Sequence, residues 1–160
     1  MAQFGLVPAW AADKPKFGLK TYNARAETIA EKPSYRSAWM KRQFGLAIMQ
    51  GFYEPNYASG KAVRWRIKRA DASPLAVASI WERFINRNTG EIVFSFSMIT
   101  INATHHPVMQ QFHGPEDEKR SIVVLQDNEY RTWLMANQNT ARSLLTLAPD
   151  QFLISEPAPR

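Results

Sequence analysis

Two apolar segments joined by a tight polar turn fix the centre of this fold. Leu75–Trp81 is apolar enough for a central strand, and Ile92–Ile101 is long enough for another. Between them, Asn86-Arg87-Asn88-Thr89-Gly90 is a strong hairpin signal. In the second segment Phe94, Phe96 and Met98 alternate with Ser95, Ser97 and Ile99, with Val93 out of phase. Alternation of period two describes a strand with two unlike faces.

The other elements fit around that hairpin. Phe4–Val7 reads as a strand ended by Pro8, Phe44–Met49 as a short buried strand and Ile122–Leu125 as another. Val63-Arg64-Trp65-Arg66-Ile67 alternates strictly, a half-exposed strand with its arginines on the wet face, and Arg69–Pro74 is a turn. Phe152–Ile154 returns as a last strand. Pro33-Ser34 opens a helical pattern through Lys41 with Tyr35, Ala38 and Trp39 on one face. Pro107–Phe112 is a helical turn. Asp127 is placed to N-cap a helix through about Met135 with Tyr130, Trp133 and Leu134 inward, and Asn139 or Thr140 to cap another through Leu147. Strands outnumber helices, and hairpin turns replace helical crossovers. The expected fold is α+β, mainly antiparallel, with a barrel-like or bifurcated sheet flanked by short helices, as one domain over residues 1–160.

With 160 residues, 45% hydrophobic and 21% charged, the chain has the make-up of a soluble globular protein. No apolar run approaches the roughly 18 residues of a membrane span, and the first residues lack a basic region followed by an apolar stretch. The absence of cysteine excludes disulfides and thiolate metal sites, and fits a cytosolic protein. A net charge of +6 and five tryptophans fit a nucleic-acid partner, since basic surfaces attract phosphate and bases stack on aromatic rings. A mildly basic protein with no such partner has the same charge.

Three polar residues lie where a scaffold can hold them over a cleft, each at an expected element end: Asn23, Glu54 and His113. An amide, a carboxyl and an imidazole serve positioning, proton transfer and general acid work. Each has a plainer reading as a turn asparagine, an exposed carboxylate or a structural histidine. The catalytic reading of Glu54 requires partial burial, with Phe52 and Tyr53 raising its pKa above about 4.3. Arg25 is either a surface arginine or a guanidinium for phosphate. Trp10, after Pro8 in a loop, is either core or an indole for a base. In the charge run Glu116 to Arg120, normally a solvated turn, Lys119 and Arg120 are the candidates for phosphate. There is no Gly-rich phosphate loop, no Gly-x-Ser-x-Gly elbow and no metal-ligand spacing. His105 and His106 are adjacent, cannot readily chelate together, and are expected in a solvated loop. No metal or cofactor is expected.

Four runs in order carry a resemblance: Phe4-Gly5-Leu6-Val7-Pro8-Ala9-Trp10-Ala11, Tyr22-Asn23-Ala24-Arg25-Ala26-Glu27-Thr28, Gly51-Phe52-Tyr53-Glu54-Pro55, and Phe112-His113-Gly114-Pro115 with Asp117-Glu118-Lys119-Arg120. Together they resemble the SOS response-associated peptidase family, whose members process abasic sites and crosslink to DNA. Pro55 departs from members with tryptophan there, and Ser121 stands where methionine is frequent. The resemblance implies a DNA-damage protein that binds single-stranded DNA, with no membrane partner. Family members remove their initiator methionine to expose a cysteine, whose α-amine condenses with the abasic aldehyde and whose thiol closes a thiazolidine. By the resemblance Asn23 orients the N-terminus and sugar, Glu54 shuttles protons and assists methionine removal, and His113 is an acid in ring opening. Arg25, with Arg120 or Lys119, holds phosphates, and Trp10 lies against bases.

Residue two here is Ala2 and the first motif begins almost at Met1. The expectation is therefore a family body without its N-terminal segment, inactive in crosslinking as it stands, cytoplasmic and nucleoid-associated, and monomeric. The alternative is a non-enzymatic, phage-derived nucleic-acid-binding or interaction protein.

Overall fold

The computed structural model describes residues 2–14, 16–114 and 116–159; Pro115 of the last motif lies outside them. Among the described residues ten strands run in the order β1 (Ala2–Phe4), β2 (Asn23–Arg25), β3 (Phe44–Met49), β4 (Phe52–Asn56), β5 (Val63–Arg69), β6 (Leu75–Ile85), β7 (Ile92–Asn102), β8 (Arg120–Ile122), β9 (Val124–Leu125) and β10 (Leu153–Pro157). The short helices α1 (Arg36–Met40), α2 (Tyr130–Leu134) and α3 (Gln138–Ser143) complete the frame with short 3-10 turns.

The expected hairpin is its axis. β6 and β7 pair antiparallel from Ser79↔Met98 to Ile85↔Ile92, and the Asn86 side chain closes the turn by accepting from Asn88 N at 2.9 Å. Beyond Ser79 and Met98 the strands part, and β8 and β9 enter between them. β7 takes β8 at Thr100–Asn102, and β6 takes β9 at Ala76 and Val77. Val123 sits at the fork, donating to Ile99 O and accepting from Ala78 N, each at 2.9 Å. Neither sheet closes, so of the two expected forms the bifurcated one is present. β1 and β2 lie parallel along β7, and β3 pairs β6. A second sheet has the order β10-β5-β4.

The large sheet buries its two faces differently. One face carries Phe44, Ile80 and Ile99 against Trp39 of α1, Trp133 of α2 and Leu6. On the other, Leu75 and Val77 meet Ile67, Phe112 and Leu153 around the small sheet. The small sheet covers only one end. At the hairpin end Phe4, Trp81, Phe96 and Met98 line an open apolar trough of about 530 Å³. The alternation in β7 thus resolves with its serines inward. Ser95 accepts from Val7 N at 2.9 Å and Ser97 donates to Thr21 O, holding the N-terminal loop on the sheet.

Several boundaries differ from those read in sequence. The first strand ends at Phe4, not Val7, because Gly5 turns the chain at φ 97°; a Cβ there would stand 2.1 Å from Gly18 O. β3 is an edge strand and only partly buried, with Ile48 62% exposed. The helix expected from Pro33 begins at Arg36, after a run of turns. Ile122–Leu125 is broken at Val123 by the fork. Asp127 is not a cap: Gln126 and Glu129 form the capping box, and Asp127 binds Arg69 instead. Asn137, not Asn139 or Thr140, caps α3, accepting from Thr140 N at 2.9 Å. Leu134 faces solvent. His106 is buried, not solvated, while His105 is exposed.

Candidate active site

Where the two sheets meet, an open cavity of about 300 Å³ is lined by Asn23, Arg25, Glu54, Thr100, His113, Glu118, Arg120, Ser121 and Ile122. Five of the seven candidate residues therefore share one wall: Asn23, Arg25, Glu54, His113 and Arg120.

Asn23 and Arg25 stand at the two ends of β2, and the buried Ala24 between them points to the core. Strand alternation therefore sends both polar side chains to one side. Glu54 is in the middle of β4, not at a strand end. Tyr53 points away, stacked on the Arg64 guanidinium, so the cavity wall rather than Tyr53 buries Glu54. His113 follows the 3-10 turn Met109–Gln111 and has φ 65°, a left-handed conformation uncommon outside glycine. It is fixed through its own backbone: His113 N donates to Pro55 O at 3.1 Å, next to Glu54.

The His113 ring is oriented by a main-chain carbonyl. Nε2 lies 3.0 Å from Arg120 O, and a carbonyl can only accept, so Nε2 carries a proton. The other ring nitrogen, Nδ1, lies 3.8 Å from Glu54 Oε2. Burial raises the Glu54 carboxyl above its ordinary pKa, and a His113 cation opposes the rise. A half-buried carboxyl facing an imidazole sets two groups able to give and take protons side by side.

The cations are less free than the sequence suggests. Arg120 Nη1 binds Glu118 Oε1 at 2.6 Å, its Nη2 binds Glu27 Oε2 at 2.9 Å, and Nη2 also donates to Thr100 O at 2.9 Å. Arg25 Nη1 binds Glu118 Oε2 at 2.8 Å. These guanidiniums hold Glu118 below the usual carboxylate range. For Glu27 burial pushes upward, but the Arg120 hydrogen bonds prevail and lower it.

Two candidates fall outside the cavity. Lys119 Nζ donates to His113 O at 3.3 Å and Gly114 O at 2.5 Å, closing the loop rather than facing the cavity. Trp10 lies on the turn Ala9–Ala11, 51% exposed, with Lys14 Nζ 5.1 Å from its ring centroid and Phe17 edge-on to it. Sequence reasoning missed Glu118 and Thr100 as part of the wall, and Glu27 as the anchor of Arg120. Glu118 was hidden in an ordinary charge run, and nothing local marks Thr100. Among the described residues no group of three or more His, Cys, Asp or Glu could hold a metal ion.

The SOS response associated peptidase (SRAP) family model matches residues 1–157. The chain is 32% identical over 133 residues to abasic site processing protein YoqW of Bacillus subtilis (strain 168), covering 82% of this chain and 55% of that protein. It is 24% identical over 164 residues to abasic site processing protein HMCES of Xenopus tropicalis, covering 91% and 47%. The chain thus spans about half the length of these curated relatives. A crystal structure of a Bordetella bronchiseptica protein superposes with TM-score 0.90 at 35% identity, over 98% of this chain and 75% of that one. A Bacteroides thetaiotaomicron protein gives 0.83 at 25%, over 96% and 66%.

Proposed function

The chain belongs to the SOS response associated peptidase (SRAP) family, and from that premise we propose that its cavity acts on abasic sites in single-stranded DNA as part of a DNA-damage response. The observation that carries this reading is the Glu54–His113 pair facing Asn23, Arg25 and Arg120 across one cavity. A ring-closed abasic sugar must open to expose its aldehyde, and opening moves a proton from the hydroxyl to the ring oxygen. A carboxyl and an imidazole at one wall supply that acid and base. An amine then adds to the aldehyde, and the carbinolamine loses water when its hydroxyl is protonated, leaving an imine. The Asn23 amide orients the sugar, and Arg25 and Arg120 take the flanking phosphates. Trp10, on the Ala9–Ala11 turn, is proposed to meet a base further along the strand.

Closing a thiazolidine on the imine requires a thiol, and the 160 residues contain no cysteine. The stable crosslink therefore needs a thiol from beyond these residues, while the imine needs only an amine. The test is to incubate the protein with a single-stranded oligonucleotide bearing one abasic site, with and without borohydride, and run a denaturing gel. A borohydride-trapped band that is lost in Glu54→Gln and His113→Ala is expected. No trapped band, in a protein that melts cooperatively, would sink the catalytic reading.

The net charge of +6 favours one second reading, a binder that forms no bond. It requires salt-dependent affinity for single strands that survives Glu54→Gln and His113→Ala and weakens in Arg25→Ala.

A further inference from the structure

The two arginines assigned above to phosphate already hold an anion. Glu118 spans them, Oε2 on Arg25 at 2.8 Å and Oε1 on Arg120 at 2.6 Å. A carboxylate laid across two guanidiniums has the arrangement of a bound phosphodiester, two acceptor oxygens facing two forks of donors. The Arg25 arm of the seat is wet enough to open: the Arg25 side chain is 58% exposed and that of Glu118 39%, so this pair is weak and screened by salt, whereas the Arg120 side chain is only 13% exposed.

Its surroundings are arranged for the Glu118 side chain to leave alone. Arg120 stays anchored without it, through both Glu27 oxygens at 3.2 and 2.9 Å and through Thr100 O. The loop backbone is tied on each side of Glu118, by Gly114 N donating to Asp117 Oδ2 at 3.0 Å and by Lys119 on the His113 and Gly114 carbonyls. Asn102 Nδ2 adds only a long contact at 3.5 Å.

We propose that Glu118 is an internal competitor for the phosphate seat between Arg25 and Arg120, and so a specificity-determining residue of the cavity; this rests on the DNA reading above. A single small anion offers the arginines no more than Glu118 already does. A strand that also engages the rest of the wall gains more than it displaces. The seat therefore selects polyanionic strands over free phosphate.

The test measures the affinity of a labelled oligothymidylate by fluorescence anisotropy at low salt, with inorganic phosphate as competitor. Glu118→Gln removes the competing charge. Glu118→Asp keeps the charge but is one methylene too short to span both guanidiniums. Glu116→Gln removes a charge of the same loop that has no ion pair among the described residues. Glu118→Gln is expected to bind on the order of threefold to tenfold tighter than wild type, Glu118→Asp to tighten in the same direction, and Glu116→Gln to stay within about twofold. Phosphate is expected to compete at lower concentration in Glu118→Gln than in wild type. Equal tightening by Glu116→Gln would reduce the effect to general charge and overturn the proposal. So would unchanged affinity in both Glu118 variants while Arg25→Ala weakens binding. If Arg25→Ala and Arg120→Ala also bind like wild type, the DNA reading of the cavity fails, and the proposal fails with it.

Discussion

His113 Nδ1 faces Glu54 Oε2 at 3.8 Å, although one residue follows a 3-10 turn and the other is mid-strand in the small sheet. The pair is held by main chain, through the bridge of Asn56 with Phe112 and the hydrogen bond from His113 N to Pro55 O. Function and stability pull against each other here. Burial raises the folded Glu54 pKa above its unfolded value. The folded state then binds the proton more tightly, so this contribution is full at low pH and is lost as pH rises through the folded pKa.

Glu54→Gln is accordingly expected to raise the melting temperature at pH 7, with the gain shrinking as pH falls into the range where Glu54 is protonated. The same substitution is expected to slow formation of the trapped imine by about a hundredfold or more. Melting curves from pH 4 to 8 beside a single-turnover assay check both. A lower melting temperature at pH 7 would contradict the burial account.

Arg25→Ala is expected to weaken binding to single-stranded DNA irrespective of sequence. It should also reduce the slope of log affinity against log salt by about 0.7, one phosphate contact fewer. Anisotropy titrations between low and moderate salt measure this, and an unchanged slope would remove Arg25 from the phosphate contacts.

Ser95→Ala tests the inward serines of β7. The Ser95 hydroxyl takes the buried Val7 N–H at 2.9 Å and reaches Glu82 O at 3.4 Å. Alanine leaves that N–H without an acceptor, at a cost of about 1–3 kcal/mol. Urea denaturation should show a lower midpoint with an unchanged slope.

His106 makes stability depend on acid. Its buried Nδ1 accepts from Val108 N and Met109 N, each at 3.2 Å, at the start of the turn that leads to His113. Among the described residues Nε2 is buried without a hydrogen-bond partner. Burial lowers its pKa; the nearby Ala148 carbonyl, outside hydrogen-bond geometry to Nε2, and Asp150 only partly oppose this. The unfolded chain takes up a proton at about pH 6.5 that the folded site resists, so stability is full above that pH and falls below it. His106→Asn, which can keep the acceptor as Asn86 and Asn137 do in their own turns, is expected to flatten the melting-temperature profile between pH 7.5 and 5. A mutant profile as steep as wild type would assign the acid sensitivity elsewhere.

The parts of this protein that depend on neighbours in the chain were legible early. The Asn86–Gly90 turn and the alternation in β5 and β7 are patterns of contiguous residues that local sterics and turn chemistry suffice to read, and the runs around Asn23, Glu54 and His113 are contiguous motifs legible through the family resemblance. Helix caps were read less well, because Asp127 is as good a cap as Gln126 until Arg69, 58 positions away, claims its carboxylate. Likewise the alternation in β7 defines two faces without saying which is covered. That depends on the N-terminal loop, whose backbone needs the two serines.

The amino-acid sequence by itself determined most of the strands, the central hairpin, the family and most of the cavity's side chains. Tertiary structure alone decided their partners: Nδ1 of His113 toward Glu54, Lys119 turned away from the cavity, Trp10 on a separate turn, and Arg25 bound to Glu118 across 93 positions. The reason is that strand and turn propensities act over a few residues. Ion pairs and proton-sharing pairs act over a few ångströms, whatever the separation in sequence, and only the folded chain sets those distances.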